Sequence, residues 1–372
     1  PGIDDRPPSL IRTTTDLSAS CSPEGPLAAV ATAATTGTTA AGPVAATAAS
    51  PRRTAPLHSA AALMPRHTAV RMGAGLAVLP VLAMGWAVAE AHSFVVREQQ
   101  AMVLPPGSEP IRVLHISDLH LLARQTSKIE FVRGLARLHP DLVVNTGDNF
   151  CSATALEPLL DALAGLLELP GVFVFGSNDY AAPAFRHPLG YVVHGRSPAD
   201  QGTSQQLPTE HLRSALTEAG WLDLNDASGD LSVAGRRLSF RGTDDAHLDR
   251  DHYAKVAGPA SRGADLNVGV THAPYQRVLD AMTTDGMDII FAGHTHGGQV
   301  CLPWYGALIT NCDIEPARAK GLSTHSCAGH TAALHVSAGL GTSPFAPYRT
   351  FCRPEVTLLT LVARDAELNA GH

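Results

Sequence analysis

Residues 111–120 read Ile-Arg-Val-Leu-His-Ile-Ser-Asp-Leu-His, and this stretch decides the fold class. Residues 111–116 form an apolar, β-branched run, which predicts a short buried strand. Directly after the run come Asp118 and His120, whose side chains are of the types that bind metal ions. In open α/β sheets, the loops at the carboxyl ends of the strands build the binding site. The stretch therefore predicts one strand of such a sheet, with polar ligands at its end.

The rest of the chain supports this interpretation because apolar runs alternate with helical segments. Strands are predicted at Ile111–Ile116, Leu142–Asn145, Val172–Phe175, Asn267–Val270 and Ile289–Phe291, with a hairpin at Leu231–Ala234 and Arg237–Arg241 and a last strand at Glu355–Val362. Helices are predicted at Ser127–Leu138, Ala155–Leu169, Glu210–Ala219 and Pro274–Thr283. Such alternation predicts an α/β domain with many parallel strand pairs.

Composition divides the chain into segments. Residues 1–63 are mostly Ala, Thr, Pro, Ser and Gly. We expect them to be disordered because they cannot bury enough apolar surface to offset the entropy lost on ordering. Residues 64–104 hold an apolar segment at 72–89, followed by a linker. We assign 105–364 to the globular domain and 365–372 to a tail.

The apolar segment 72–89 carries no charge and has 18 residues, the lower limit for a helix that crosses a bilayer. Arginines precede it, which predicts that its N-terminal side is cytoplasmic and that the domain lies outside. Three alternatives stay open, namely an uncleaved anchor, a signal peptide cut after Ala89, and a buried core helix. We expect a membrane-anchored protein with an extracytoplasmic domain, or a secreted one if the segment is cleaved.

The charge balance argues against one class of function. The chain has 27 basic and 34 acidic residues, a formal net charge of −7 at pH 7. Nucleic-acid-binding domains carry a basic surface, so we expect no nucleic-acid partner. The cysteines contain no Cys-x-x-Cys pair, which argues against a zinc ribbon or a dithiol redox motif. For Cys301 and Cys312, a disulfide and two free thiols are both open.

Each of five predicted strands is followed by a loop that carries candidate metal ligands. The loops are Ser117-Asp118-Leu119-His120, Gly147-Asp148-Asn149, Gly176-Ser177-Asn178-Asp179, Thr271-His272-Ala273-Pro274 and Gly293-His294-Thr295-His296-Gly297-Gly298. Because loops at the carboxyl ends of parallel strands meet at one edge of the sheet, we expect these side chains to converge.

The ligand types narrow the choice of metal. Histidines and aspartates without cysteine suit Mn, Fe, Zn, Co or Ni better than Ca or Mg. A single catalytic zinc usually takes three protein ligands, so this set is too large for one ion. Two divalent ions about 4 Å apart that share a bridging carboxylate would account for all of these ligands.

In this order, the five motifs resemble the signature of calcineurin-like metallophosphoesterases, and the resemblance covers roughly residues 110–362. The resemblance is closer to the bacterial membrane-anchored branch, which includes pyrophosphatases that act on UDP-diacylglucosamine. It implies a four-layer α/β/β/α sandwich with a dinuclear metal site at the strand ends. It also implies hydrolysis of a phosphoester or diphosphate bond by a metal-bridging hydroxide, on a phosphorylated small-molecule or lipid substrate.

The resemblance also assigns roles to the residues at the matching positions. Asp118, His120 and His296 would hold the first metal ion, and His272 and His294 the second. Asp148 would bridge the two ions. We take Asp148, Asn178 and His272 as the catalytic residues.

The third motif departs from the family pattern, which reads Gly-Asn-His-Asp/Glu. Here Ser177 stands at the position of the metal-binding Asn, and Asn178 at that of the His that protonates the leaving group. A one-residue slip would bring Asn178 onto the second metal, and we favour that alternative. His187 and Tyr180 are the nearby substitutes for the missing acid. If the departure abolishes turnover, the alternative function is a metal-binding regulatory domain.

Some residues outside the motifs carry two interpretations. Asp244, Asp245 and His247 follow a predicted strand and have either a catalytic or a structural role. Trp304 and Tyr305 line a substrate cleft or pack in the ordinary way.

Overall fold

The computed structural model describes residues 10–12, 80–184 and 205–365. Within them, a first sheet has seven strands in the order β1-β2-β15-β3-β4-β5-β6. Their bounds are β1 Leu10–Arg12, β2 Val95–Leu104, β3 Ile111–Ile116, β4 Leu142–Asn145, β5 Gly171–Phe173, β6 Leu222–Asp223 and β15 Glu355–Ala363. Strands β3, β4 and β5 run parallel, so their carboxyl ends meet at one edge.

A second sheet has six strands in the order β13-β14-β10-β9-β8-β7 among the described residues. Their bounds are β7 Ser228–Val233, β8 Arg236–Gly242, β9 Leu266–Val270, β10 Ile289–Ala292, β13 Gly321–Cys327 and β14 His330–Val336. Strands β8, β9 and β10 are parallel, which brings their carboxyl ends together as well. A short hairpin, β11 Cys301–Leu302 with β12 Gly306–Ala307, follows the last motif.

The two sheets pack face to face, and helices cover their outer faces. The core between them joins side chains such as Val113 and Val144 of the first sheet to Phe240 and Phe291 of the second. Helices Thr126–Arg133, Leu156–Leu167 and Thr209–Glu218 belong to the core on the first sheet, and helix Gln276–Thr284 to that on the second. The predicted four-layer α/β/β/α architecture is therefore confirmed.

Helix Leu156–Leu167 shows how the sequence builds an outer layer. Its buried leucines Leu156, Leu159, Leu163 and Leu166 recur at intervals of three and four residues, which places them on one face. The helix predicted at Ser127–Leu138 ends earlier, because the α-helix stops at Arg133 and a 3₁₀ turn continues from Gly134 to Leu138. Glycine at that position lowers helix propensity.

The linker predicted within 64–104 is wrong for its last part. Residues 95–104 form β2, which pairs in parallel with β15 along nearly its whole length. The β13–β14 hairpin was also not predicted. Both errors share a cause, since these strands carry polar residues among the apolar ones and depend on partners distant in sequence.

Most of the N-terminal predictions fall on residues 1–9 and 13–79, which lie outside the described residues. Leu10–Arg12, in the segment predicted to be disordered, form β1 beside β2. Residues 80–90 are helical. No helix in the described part of the chain is long and apolar enough to cross a membrane.

Candidate metal centre

The loops after the parallel strands converge, as the sequence predicts, and form two clusters of candidate ligands. Asp118, His120 and His296 offer ligand atoms that lie within 4.8 Å of one another. Asp118, Asp148 and His272 do the same. Asp118 belongs to both clusters, so the two groups form one continuous centre at the edge where the sheets meet.

The backbone is strained at the candidate ligands. Asp118, His120, Asp148, His294 and His296 have positive φ angles of 49°, 41°, 54°, 67° and 50°. Each such conformation costs a non-glycine residue about 1–3 kcal/mol and recurs at functional sites. The surrounding fold therefore holds these residues in conformations that are unfavourable for the local backbone.

The buried atoms of the centre fit a cation. Asp118 Oδ1 and His272 Nε2 are buried, and neither has a hydrogen-bond partner among the described residues. Burying an unpaired carboxylate oxygen or ring nitrogen is unfavourable, so such atoms normally have a partner. A divalent ion would supply that partner to both, and the imidazole and carboxylate donors suit a transition metal.

Hydrogen bonds orient the histidine rings. His272 Nδ1 donates to the Thr146 carbonyl oxygen at 2.6 Å, and His296 Nδ1 lies 3.1 Å from that of Gly341 and 3.3 Å from the Arg349 guanidinium. These contacts at Nδ1 leave Nε2 of both rings facing the centre. Such outer bonds set the tautomer and the direction of a metal-binding imidazole. His120 Nε2 lies 3.2 Å from His296 Nε2, so these two rings converge on the same point.

Charge and burial shift the pKa values in the centre. Burial lowers the pKa of His120 to about 4 and lowers those of His294 and His296 well below the usual value. These rings therefore stay neutral and can bind a metal ion. Burial also lowers the pKa of His272, but the Asp148 and Asp118 carboxylates outweigh it and raise that pKa to about 9. Burial raises the pKa of Asp118 to about 6.

Asp148 lies between residues assigned to the two ions. Its Oδ2 is 3.3 Å from His120 Nε2 and 3.6 Å from His272 Nε2. Burial would raise its pKa, but the neighbouring His272 and His120 hold that pKa below the usual value. This position suits a bridging carboxylate, and the bridging role itself stays a prediction.

The third motif forms one helical turn, Ser177–Tyr180, against the centre. The backbone N–H of Asn178 donates to Asp148 Oδ1 at 2.7 Å and its side-chain amide to Oδ2 at 2.8 Å. Asp179 is buried and accepts the backbone N–H groups of Asp148, Asn149 and Gly176. Asn178 thus touches the centre through Asp148, and its role as a ligand stays a prediction.

His294 stands apart from the two clusters. Its ring centroid is 5.2 Å from that of His272, but its Nε2 lies 3.1 Å from the carbonyl oxygen of Asn311. His247 packs on the other side of this ring, with centroids 4.6 Å apart. The assignment of His294 to the second ion therefore also stays a prediction.

Sequence reasoning missed two groups that support the centre. Arg349 is fully buried and donates to the carbonyl oxygens of His296, Ala338 and Gly341. No spacing in the sequence marks it. Thr146 donates to Ser117 at 2.6 Å, and Ser117 donates to Asp118 at 2.5 Å. Ser117 lies in the first motif and Thr146 directly precedes the second, so their positions could have indicated this contact.

The two cysteines considered for a disulfide are free thiols in the structure. Cys301 instead lies in one buried cluster with Cys352, and both thiols donate to the carbonyl oxygen of Gly297. Cys301 and Cys312 are therefore not paired.

An exposed apolar surface borders the centre. Trp304 and Tyr305, at the tip of the hairpin that follows the last motif, are exposed. The base of the hairpin is joined to residue 350 by the bond from Cys301 N to the carbonyl oxygen of Thr350. The next residue, Phe351, is half exposed and packs on Trp86 with ring centroids 4.9 Å apart. We call Trp86, Leu302, Trp304, Tyr305 and Phe351 the aromatic rim.

This fold and this centre together define a metal-binding hydrolase. The chain belongs to the calcineurin-like phosphoesterase family, whose pattern matches residues 111–298.

Individual proteins are also similar to parts of this chain. The chain is 26% identical over 259 residues to the protein YpbG of Bacillus subtilis, covering 68% of this chain and 82% of the relative. It is 27% identical over 271 residues to the UDP-2,3-diacylglucosamine pyrophosphatase LpxG of Chlamydia trachomatis, covering 62% of this chain and 78% of that enzyme. Among solved structures, yellow lupin purple acid phosphatase matches with a TM-score of 0.37 at 11% identity, covering 66% of this chain and 47% of that one.

Proposed function

We propose that this protein is a two-metal phosphohydrolase that cleaves a diphosphate bond in a lipid-linked or sugar-linked substrate. The observation that carries the proposal is the pair of buried, unpartnered ligand atoms, Asp118 Oδ1 and His272 Nε2, inside the converging motifs. Asp118, His120 and His296 would hold one ion, His272 and His294 the other, with Asp148 between them. Bound divalent ions would supply an activated water and neutralise the charge of the phosphoryl group.

The missing histidine favours diphosphates over simple alkyl phosphates. A proton from a general acid is typically worth about 10²–10⁴-fold when the leaving group is basic. Asn178 holds the acid position, and an amide cannot supply that proton. A phosphate leaving from a diphosphate is weakly basic, with a second pKa of about 6, and departs without a proton.

Tyr180, one of the two nearby candidates, does not replace that histidine in the structure. Tyr180 already donates its hydroxyl to Asp244 Oδ1 at 2.6 Å, and burial together with Asp244 raises the pKa of Tyr180. A higher pKa makes the phenol a poorer acid. His187 lies outside the described residues.

Two features support a lipid-bearing substrate at a membrane surface. The curated relative LpxG is named for a diacylated sugar nucleotide. In this chain, the aromatic rim places exposed Trp and Tyr side chains beside the centre, and such side chains favour the interface between water and lipid. We propose that the apolar segment 72–89 holds the enzyme to the outer face of the membrane or directs its export.

The chemistry is tested with a leaving-group series. Manganese-loaded wild type is assayed on aryl phosphates, alkyl phosphates and a diphosphate, and log kcat/KM is plotted against the leaving-group pKa. We expect a steep negative slope for wild type and a shallower one for Asn178→His. A flat wild-type slope, with chemistry rate-limiting, would overturn the proposed preference for diphosphates.

The topology is tested by fusing alkaline phosphatase after Ala91, since that reporter folds only in an oxidising compartment. We expect an active fusion. An inactive fusion, together with a fluorescent cytoplasmic fusion at the same point, would contradict the outward orientation.

The second candidate function is a metal-binding regulatory domain, favoured by the single observation that Ser177 occupies the position of a metal ligand. The two candidates differ in turnover. If the protein binds divalent ions but cleaves none of the phosphoesters in the series, the regulatory function is supported and the enzymatic one fails.

A further inference from the structure

The second sheet contributes three neighbouring parallel strands to the centre, and one of them has no assigned role. β10 leads to His294 and β9 leads to His272, whereas β8 leads to Thr243, Asp244 and Asp245. The β8 and β9 ends are in register, with Gly242 opposite Val270. Beyond them, Thr243 Oγ1 bonds Thr271 Oγ1 at 3.1 Å. The loop after β8 therefore begins directly beside the residue that precedes His272.

Asp245 in this loop has no exposed surface, and one of its two carboxylate oxygens has no hydrogen-bond partner among the described residues. Oδ1 accepts the backbone N–H of His247 at 2.9 Å. Oδ2 is buried and has no hydrogen-bond partner among the described residues, as is also true of Asp118 Oδ1 and His272 Nε2. A buried carboxylate oxygen without a donor is costly unless a cation or a proton accompanies it.

The neighbours of this loop place it next to the altered third motif. Asp244 accepts the hydroxyl of Tyr180 at 2.6 Å, which ties the loop to the turn that contains Ser177. Burial raises the pKa of Asp245 to about 7, whereas attraction to His272 opposes that rise. The loop that carries Asp245 thus contacts the residue before His272 through Thr243 and the motif that lacks its family ligand through Asp244.

We propose that Asp245 is a ligand of the second metal ion and replaces the amide that the family supplies at the position of Ser177. The assignment rests on the two-ion centre of the proposed function. A carboxylate is a stronger ligand for a divalent ion than the serine hydroxyl, and it adds a negative charge that an amide lacks. The second ion would then be held by His272, His294, Asp148 and Asp245, from both sheets.

The decisive experiment replaces Asp245 with cysteine and loads the full chain with Co²⁺. A thiolate bound to Co²⁺ gives a near-ultraviolet charge-transfer band, which a side chain that only packs nearby does not give. We expect Asp245→Cys to show this band in addition to any absorbance that the native cysteines give in the wild-type spectrum. Asp244→Cys, one residue away in the same loop, is the matched control and should show the wild-type spectrum. If Asp245→Cys binds two ions and shows the wild-type spectrum, the assignment is wrong.

A second variant keeps the proposal testable if the cysteine variant does not fold. In Asp245→Ala, which leaves no ligand atom, calorimetric titration with Mn²⁺ should show the second dissociation constant raised by about 10–100-fold, the usual range for a disturbed metal environment, with the first unchanged. Asp244→Ala should leave both constants near wild type. An increase below about tenfold in folded Asp245→Ala would overturn the assignment. If wild type itself binds a single ion, the two-ion proposal fails before Asp245 is tested.

Discussion

The two halves of the metal centre differ in how many of their expected ligands the family motifs supply. The half assigned to the first ion brings the ligand atoms of Asp118, His120 and His296 within 4.8 Å of one another. In the half assigned to the second ion, His294 Nε2 contacts Asn311, and Ser177 stands where the family has a ligand. The first position is therefore built from motif residues, whereas we propose that the second also uses Asp245 from outside the motifs. We expect the two ions to bind with different affinities.

The largest expected effect comes from removing the group between the halves. Asp148→Asn should lower kcat/KM by about 10³-fold or more, because losing several kcal/mol of charge stabilisation costs a factor of ten for each 1.36 kcal/mol. It should also reduce the metal content measured by elemental analysis. Near two ions per chain in wild type, and fewer in the variant, would support the shared role. Two ions retained in a folded variant would contradict it.

A smaller loss should follow from crowding the second half. A Cβ on Gly176 would overlap Asp148 Oδ1 and would lie 2.5 Å from His272 Cε1. Gly176 has φ −110° and ψ 179°, which alanine adopts readily, so the effect is steric. Gly176→Ala should lower kcat/KM by about 10²-fold, the typical result of misplacing a reacting group by an ångström.

The matched control for that variant is Gly85→Ala, where nothing lies within 4 Å of the added Cβ. It should leave the kinetics unchanged. If Gly176→Ala is as active as this control, the second half tolerates displacement and the proposed role of His272 is weakened.

A third substitution puts the family ligand back into the second half of the centre. In an Asp245→Ala background, Ser177→Asn restores the family ligand and should tighten the second ion by about 10-fold, the lower end of the usual range for a changed metal environment. Ser177→Ala in the same background should change neither dissociation constant, because the hydroxyl is a poor ligand. Titration calorimetry measures both constants. Unchanged binding on adding Ser177→Asn would show that residue 177 does not reach the second ion.

The same contrast separates what the sequence predicts from what it does not. The strand ends and the convergence of Asp118, His120, Asp148 and His272 follow from short apolar runs and their polar loops, which are local signals. Arg349 supports His296 from far along the chain, and no local pattern marks it. The β2–β15 pair likewise joins segments more than 250 residues apart in number, Val95 opposite Glu355.

The third motif shows a further limit of sequence reasoning. A departure such as Ser177 signals that something has changed, but a single sequence does not say which residue compensates. Asp245 could be considered because it follows a predicted strand, and the structure adds that its Oδ2 is buried without a hydrogen-bond partner in the described part of the chain. Such information depends on packing across two sheets.

The two halves should also differ in how their metal affinity depends on pH, because they differ in the protons that metal binding must displace. The pKa of His272 is raised to about 9 by Asp148 and Asp118 against the effect of burial, so His272 carries a proton at pH 7 without metal. Binding the second ion must displace that proton. The affinity of the second ion should therefore rise by about tenfold per pH unit from about 7 and level off near 9.

The affinity of the first ion should depend little on pH above 7, since His120 and His296 are already neutral and Asp118 is ionised above about 6. Calorimetry at pH 8 in buffers of different ionisation enthalpy measures the released protons, and His272→Gln is the control that should release far fewer at the second step. A second binding step without proton release in wild type would show that His272 does not hold the ion.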